Sequence, residues 1–416
     1  MFSDTGIAPA RQAALTADQG DSLAFCRQRF QLPEATIYLD GNSLGAMPGV
    51  VVQALADAAE RQWASDLITS WNVNGWWRLP GAVGGKIAGL IGAAAGQVMC
   101  GESTSIQLFQ ALVAACRMRP GRSVLLSDGA NFPTDQYIAD SVGRLLGLEV
   151  VRLHPSEVAQ HLDDRTAVVS FSMVDYRTGE LFDAAAITAA VQDAGAVMVW
   201  DLCHAVGAVP VTLDAVNADL AVGCTYKYLN GGPGSPAFIY IAARHQHGAD
   251  LPLTGWHGHR APFDLDQRYV PAESIERARI GTPPLLSMLA LHAALTAFDG
   301  VSIDAIRHKS LALTDQVIDF ADAHLGEYGV EVVTPREHSR RGSQVSLRMP
   351  KAYEVCQALI AAGVIGDFRA PDLLRFGFTP LYLRHVDVHD AMAALLDVLA
   401  NKTYLDPAFA RRSSVT

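Results

Sequence analysis

Lys227 lies in Thr225-Tyr226-Lys227-Tyr228-Leu229-Asn230-Gly231-Gly232-Pro233-Gly234, just past the largely apolar run 218–224. Asp201 closes an earlier run of the same kind, 196–200. A lysine that leaves a strand for a Gly/Pro turn, with a carboxylate at the end of the preceding strand, offers the two groups that pyridoxal phosphate chemistry requires. One is an amine for an imine bond and the other a partner for the pyridinium nitrogen. Taken alone, a Lys-Tyr pair is a solvated loop element, and an Asp after a strand is a helix cap.

Other groups extend the pattern. Gly101-Glu102-Ser103-Thr104-Ser105 precedes the apolar-periodic stretch 106–116, so hydroxyls and amides converge at a predicted helix N-terminus, a natural phosphate site. On its own that is an ordinary Ser/Thr cap. Gly231-Gly232-Pro233-Gly234 follows the lysine and opens no helix, so it reads as a turn and not as a nucleotide loop. Arg375, in Leu374-Arg375-Phe376-Gly377-Phe378-Thr379-Pro380, presents a guanidinium able to hold a carboxylate with two parallel donors.

Asp201-Leu202-Cys203-His204-Ala205-Val206-Gly207 and the stretch 226–234 together resemble the cofactor core of the class V aminotransferase group. Four further motifs resemble one family within it, the kynureninases. They are Tyr38-Leu39-Asp40-Gly41-Asn42-Ser43-Leu44-Gly45, Phe132-Pro133-Thr134-Asp135, Gly255-Trp256-His257-Gly258-His259 and Arg279-Ile280-Gly281-Thr282-Pro283-Pro284. The resemblance runs over residues 38–383, and by it the chain is identified as a member of that family, of bacterial type.

The resemblance implies a fold type I pyridoxal 5'-phosphate enzyme that cleaves L-kynurenine, and 3-hydroxykynurenine, to anthranilate or its 3-hydroxy form and L-alanine in tryptophan degradation. It implies that Lys227 carries the cofactor, that Asp201 pairs with the ring nitrogen, and that His204 lies near the phenolic oxygen or the ring face. Ser103, Thr104 and Ser172 match cofactor-contacting positions, Phe132 matches the stacking aromatic, and Asp135 ends the same motif. Tyr226 matches the tyrosine that reaches the phosphate and is the candidate proton relay. Trp256 and Thr282 match phosphate-site residues given by the neighbouring subunit, which implies a homodimer with composite sites. Arg375 matches the grip on the substrate α-carboxylate, with Asn42 and Ser43 beside the substrate. Trp71 is either part of the aryl pocket or a core or interface aromatic. The rivals are another enzyme of the superfamily, a transaminase or cysteine desulfurase, and a binding protein that has lost catalysis. A desulfurase needs a nucleophilic cysteine in a mobile loop, whereas Cys356 sits in a helix-like stretch.

These groups need a scaffold. A chain of 416 residues exceeds what one core usually organises, and its composition, half hydrophobic and 18% charged, suits large buried areas. Between 97 and 240, short β-branched runs (123–126, 167–171, 197–200) alternate with Ala-rich helical stretches such as 183–193. That predicts an α/β domain with a mainly parallel sheet, whose ligands bind beyond the carboxyl ends of the strands. After Pro284 the pattern shifts to a connecting helix (285–298), strands at 329–333 and 344–348, and a closing helix at 388–399. The expected division is an N-terminal segment 1–36 packed on the smaller domain, a cofactor domain 37–284, and a C-terminal α+β domain 285–416 with a frayed tail at 410–416.

The formal charge of −11, with no Lys/Arg cluster, argues against nucleic acid as a partner. No stretch approaches the length of an apolar membrane span and residues 1–21 lack a signal pattern, so the cytoplasm is the expected location. The six cysteines form no Cys-x-x-Cys pair and read as reduced, mostly buried thiols. His245-x-His247 and His257-x-His259 lack Cys or acidic partners at ligand spacing, so no metal is expected.

Overall fold

A computed structural model describes residues 7–412; positions 413–416 of the tail expected to fray lie outside the described residues, as do 1–6. The chain divides into two compact units. One comprises Val50–Val174 and Phe182–Leu295, the other Met1–Gly49, Asp175–Leu181 and Thr296–Thr416. The divisions thus fall later than the expected 37 and 285, and local packing gives the reason. Ile37–Tyr38 pairs in parallel with Val364–Ile365, which holds this segment to the C-terminal unit. Helix Leu285–Ala294 packs Ala290 and Ala294 against Val51, which holds it to the other.

The first unit is built on a seven-stranded sheet, in the order Val98–Cys100, Phe238–Ile241, Leu220–Gly223, Val197–Asp201, Thr166–Ser172, Val124–Asp128, Glu149–Leu153. All but Phe238–Ile241 run the same way. Three central strands, Val124–Asp128, Thr166–Ser172 and Val197–Asp201, are buried at every position, as strands covered on both faces must be. The edge strand Glu149–Leu153 keeps Glu149 and Arg152 exposed, and such charges discourage further pairing. Helix Thr104–Arg117 sets Leu108 and Leu112 into a core with Val168, Val199, Val222 and Ile239. Helix Ala184–Asp193 starts where the Asp183 side chain accepts the Ala186 N–H at 3.0 Å. The parallel register sets Ser172 beside Asp201, and Asp201 beside Val222. The ends of three adjacent strands therefore converge on the segment that carries Lys227.

The second unit holds a four-stranded antiparallel sheet ordered Asp367–Arg369, Leu373–Gly377, Gln344–Arg348, Glu331–Val332. Helices Ile303–His324 and Ala352–Ala361 pack with it, His385–Ala400 packs on both of them, and Ile7–Gln19 lies along His385–Ala400. Lys309, buried in the long helix, donates to Asp21 at 2.6 Å and to the Pro380 carbonyl at 2.7 Å, tying the N-terminal segment to this unit. Among the described residues no single helix is both long and apolar enough to cross a membrane.

Candidate active site

Beyond strand Leu220–Gly223 the backbone doubles back: the Gly231 N–H donates to the Thr225 carbonyl at 2.9 Å, and the Thr225 and Ser235 hydroxyls meet at 2.6 Å. Asn230 takes φ +58°, and Gly232 and Gly234 are also left-handed. Holding a non-glycine residue there costs energy and marks an over-determined turn. Lys227 emerges from it half-buried, its Nζ 3.3 Å from His204 Nε2.

Asp201 is buried at the end of its strand. Its Oδ1 accepts the Cys203 N–H at 2.8 Å and its Oδ2 lies 2.7 Å from the Ser172 hydroxyl. Ser172 Oγ also meets Asn131 Oδ1 at 2.9 Å. Asn131 in turn accepts the Phe132 N–H at 2.7 Å and donates to Asp135 Oδ2 at 2.9 Å. Burial, and then the charge of Asp201, hold the Asp135 carboxyl well above its ordinary range. The structure thus joins Asp201, Ser172, Phe132 and Asp135 in one network. Phe132 ends at the start of helix Pro133–Leu146 with its side chain substantially exposed, consistent with a face that receives a ring. Burial also raises the Tyr226 phenol, which keeps its proton at neutral pH.

Ser103 caps helix Thr104–Arg117 by accepting the Ile106 N–H at 3.4 Å. Glu102, at φ +56°, and Gly101 are fixed by exchange with Ala237, N to O, at 2.8 Å each way. First-turn amides and the positive end of the helix dipole suit a phosphate here. Trp256 and Thr282 stand apart from this group. Both are exposed, and Trp256 packs with Trp77, His257 and Phe263. Their loops cross where Gly255 lies so close to the Ile280 carbonyl that a Cβ would sit 1.9 Å from it. Trp71 belongs to the same aromatic cluster through Trp76, Trp77 and His257. Of the paired histidines, His245 meets Asp219 at 2.8 Å, and His257 meets Arg279 at 2.9 Å with its ring pushed down to about 4 by burial and that charge.

In the second unit Arg375 is fully buried on strand Leu373–Gly377, directly opposite Asp367 in the antiparallel register. Its Nε donates to Asp367 Oδ1 at 2.8 Å, Nη2 to Asp367 Oδ2 and to Ser43 Oγ at 3.0 Å, and Nη1 to the Tyr176 carbonyl. Arg369 shares the same carboxylate at 2.6 Å. Asn42 is buried against Gly377, where any Cβ would sit 2.0 Å from its Oδ1. Burial and then Asp367 push the Asp40 carboxyl up to about 7. Two guanidiniums thus face one firmly ionised carboxylate and one that titrates near neutrality.

Asn131, Asp367 and Arg369 carry much of this geometry and are absent from the sequence-predicted set. Asn131 directly precedes the Phe132 motif, and that adjacency is the signal the sequence offers. Asp367 is visible only through strand register, which sequence spacing does not give. The desulfurase alternative fails on Cys356, which is buried in helix Ala352–Ala361 with its thiol toward the Gly366 carbonyl at 3.6 Å. All six cysteines are free and buried.

The donor set fits pyridoxal 5'-phosphate: an amine at Lys227, a buried carboxylate at Asp201 for a protonated ring nitrogen, and a helix N-terminus for the phosphate. Solved structures of similar fold include a cysteine desulfurase from Thermococcus onnurineus NA1, with TM-score 0.77 and 17% identity, covering 91% of this chain and 98% of that one. Another, from Escherichia coli, has TM-score 0.76 and 19% identity, with 92% and 99% covered. At that identity they show the fold alone. The model of the kynureninase C-terminal domain matches residues 306–395. A kynureninase from Burkholderia pseudomallei (strain 1106a) is 47% identical over 413 residues, 98% of this chain and 99% of its own. One from Deinococcus radiodurans is 50% identical over 388 residues, 92% and 94% respectively. The chain therefore belongs to the kynureninase family, pyridoxal phosphate-dependent hydrolases of a carbon–carbon bond.

Proposed function

We propose that the chain hydrolyses L-kynurenine, and its 3-hydroxy form, at the Cβ–Cγ bond to give anthranilate, or 3-hydroxyanthranilate, and L-alanine. The observation that carries the reading is the convergence of Lys227, His204 and the Asp201 network on adjacent strand ends. Pyridoxal phosphate, when bound, supplies an electron sink for the substrate α-carbon. Asp201 would hold the proton of the ring nitrogen, and Ser103, Thr104 and Tyr226 would hold the phosphate. Lys227 would carry the cofactor and move the α-proton, and Tyr226 would relay a proton when water adds to the γ-carbonyl. Arg375 receives the α-carboxylate. The cluster of Arg375 and Arg369 against Asp367, with Asp40 part-neutral, carries an excess of positive charge that a carboxylate balances.

Trp256 and Thr282, exposed on crossing loops, complete the phosphate site of a neighbouring copy in a homodimer, and the enzyme acts in the cytoplasm. Incubating the pyridoxal phosphate-loaded protein with L-kynurenine tests the reaction. Anthranilate fluorescence and alanine should appear in equal amounts. Alanine without anthranilate, or sulfur release from cysteine in place of kynurenine cleavage, would refute it.

A further inference from the structure

Asn131 is buried, 4% exposed, directly ahead of the Phe132 motif. Two contacts fix its amide one way round: Oδ1 accepts the Phe132 N–H and Nδ2 donates to Asp135. A flipped amide would set NH2 against a backbone N–H. Oδ1 is therefore an acceptor where it meets Ser172 Oγ at 2.9 Å, while Asp201 Oδ2 stands 2.7 Å from the same hydroxyl. A serine hydroxyl carries one hydrogen, and two acceptors compete for it.

The competition has a direction. If Asp201 is ionised and takes the serine hydrogen, Asn131 Oδ1 is left facing a bare oxygen lone pair. If another donor, such as a ring N–H, fills Asp201 Oδ2, Ser172 is free to turn its hydrogen to Asn131. The amide of Asn131 thus favours an Asp201 carboxylate that accepts from a donor other than Ser172. The Cys203 N–H on Oδ1 stays the same in both cases.

We propose that Asn131 is a positioning residue of the cofactor site which, by competing for the Ser172 hydrogen, leaves Asp201 Oδ2 open to accept the N–H of the pyridine ring. The proposal rests on the reading of Asp201 as the ring-nitrogen partner. Asp135, Cys203, Cys224 and Tyr226 are titratable groups that feel Asp201, with the Lys227–His204 pair in the same site, and the test isolates Asn131 from them.

Cofactor-free wild type, Asn131→Ala, Ser172→Ala and the double variant are titrated with pyridoxal 5'-phosphate. Affinity is read from tryptophan fluorescence, and the pH midpoint of the bound cofactor's absorbance change is measured for each. Asn131→Ala should weaken binding by roughly tenfold and shift the midpoint. In the Ser172→Ala background the same substitution should cost less, since the shared hydrogen is already gone. Three results would each overturn the proposal: unchanged binding and midpoint, weaker binding with an unmoved midpoint (the behaviour of a packing residue), or effects that multiply independently. Asp201→Asn is the control. If it binds cofactor as wild type does, the reading of Asp201 itself fails; if it is defective while Asn131→Ala is normal, only the proposal fails. Should Asn131→Ala not fold by circular dichroism, Asn131→Leu, of similar length, replaces it.

Discussion

Lys227 Nζ stands 3.3 Å from His204 Nε2. The two residues follow adjacent parallel strands, Leu220–Gly223 and Val197–Asp201, so sheet register brings together side chains that sequence separates. A ring nitrogen at that distance can accept from the amine and orient it.

His204→Phe keeps an aromatic ring and removes that acceptor. Anthranilate formation should fall by roughly tenfold to a hundredfold, the effect of losing a hydrogen bond to a charged group. Thermal unfolding should change little. Steady-state kinetics at wild-type level would show that the contact has no part in turnover.

Arg375 holds Asp367 with two nitrogens, which an ammonium cannot imitate. Arg375→Lys should raise KM for L-kynurenine by roughly tenfold or more. Arg375→Leu leaves Asp367 buried with Arg369 and Ser43 alone, and should destabilise by about 3 to 5 kcal/mol. Denaturant unfolding and substrate titration separate the two effects. An unchanged KM in Arg375→Lys would remove Arg375 from the substrate site.

Asp40 provides a pH test. Its carboxyl is raised from an ordinary 3.8 to about 7 by burial and then by Asp367. A carboxyl raised on folding adds stability that is full below its unfolded value and is lost as pH rises through the folded one. Its contribution should therefore decline between about pH 4 and pH 7. Asp40→Asn, which cannot ionise, should gain on wild type across that range. Unfolding of the cofactor-free proteins at both ends measures the gap, and an equal gap at both ends would contradict the assignment.

How much of this was legible in the sequence follows from the range of each interaction. The strands around 124–128, 166–172 and 197–201 announced themselves because full burial forces continuous apolar runs. Lys227 and Asp201 were legible because each ends such a run. The strand Leu373–Gly377 that carries Arg375 does not stand out in the sequence, and neither does its pairing with Asp367–Arg369, because antiparallel register is set by contacts and not by spacing. The 22-residue helix Ile303–His324 is also hard to see in the sequence, because its mixed surface weakens the periodic signal. Asn131 stands in the loop after Val124–Asp128 next to a legible motif, but its role depends on contact with Ser172, at the end of a different element, which spacing does not give.

If Trp256 and Thr282 serve the partner's phosphate, inactive Lys227→Ala subunits mixed with inactive Trp256→Ala/Thr282→Ala subunits should regain activity. One site of the mixed dimer combines an intact lysine with intact loops from the other chain. Mixed dimers that form, as seen by native mass spectrometry, yet stay as inactive as both parents would assign these loops to their own chain.

Turnover by Lys227→Ala tests the site most directly. The lysine both carries the cofactor and moves the α-proton, so anthranilate production from L-kynurenine by the folded variant should fall by more than roughly a thousandfold. Production within about tenfold of wild type would contradict the assignment, since an activated amine that also acts as base cannot be removed at so small a loss.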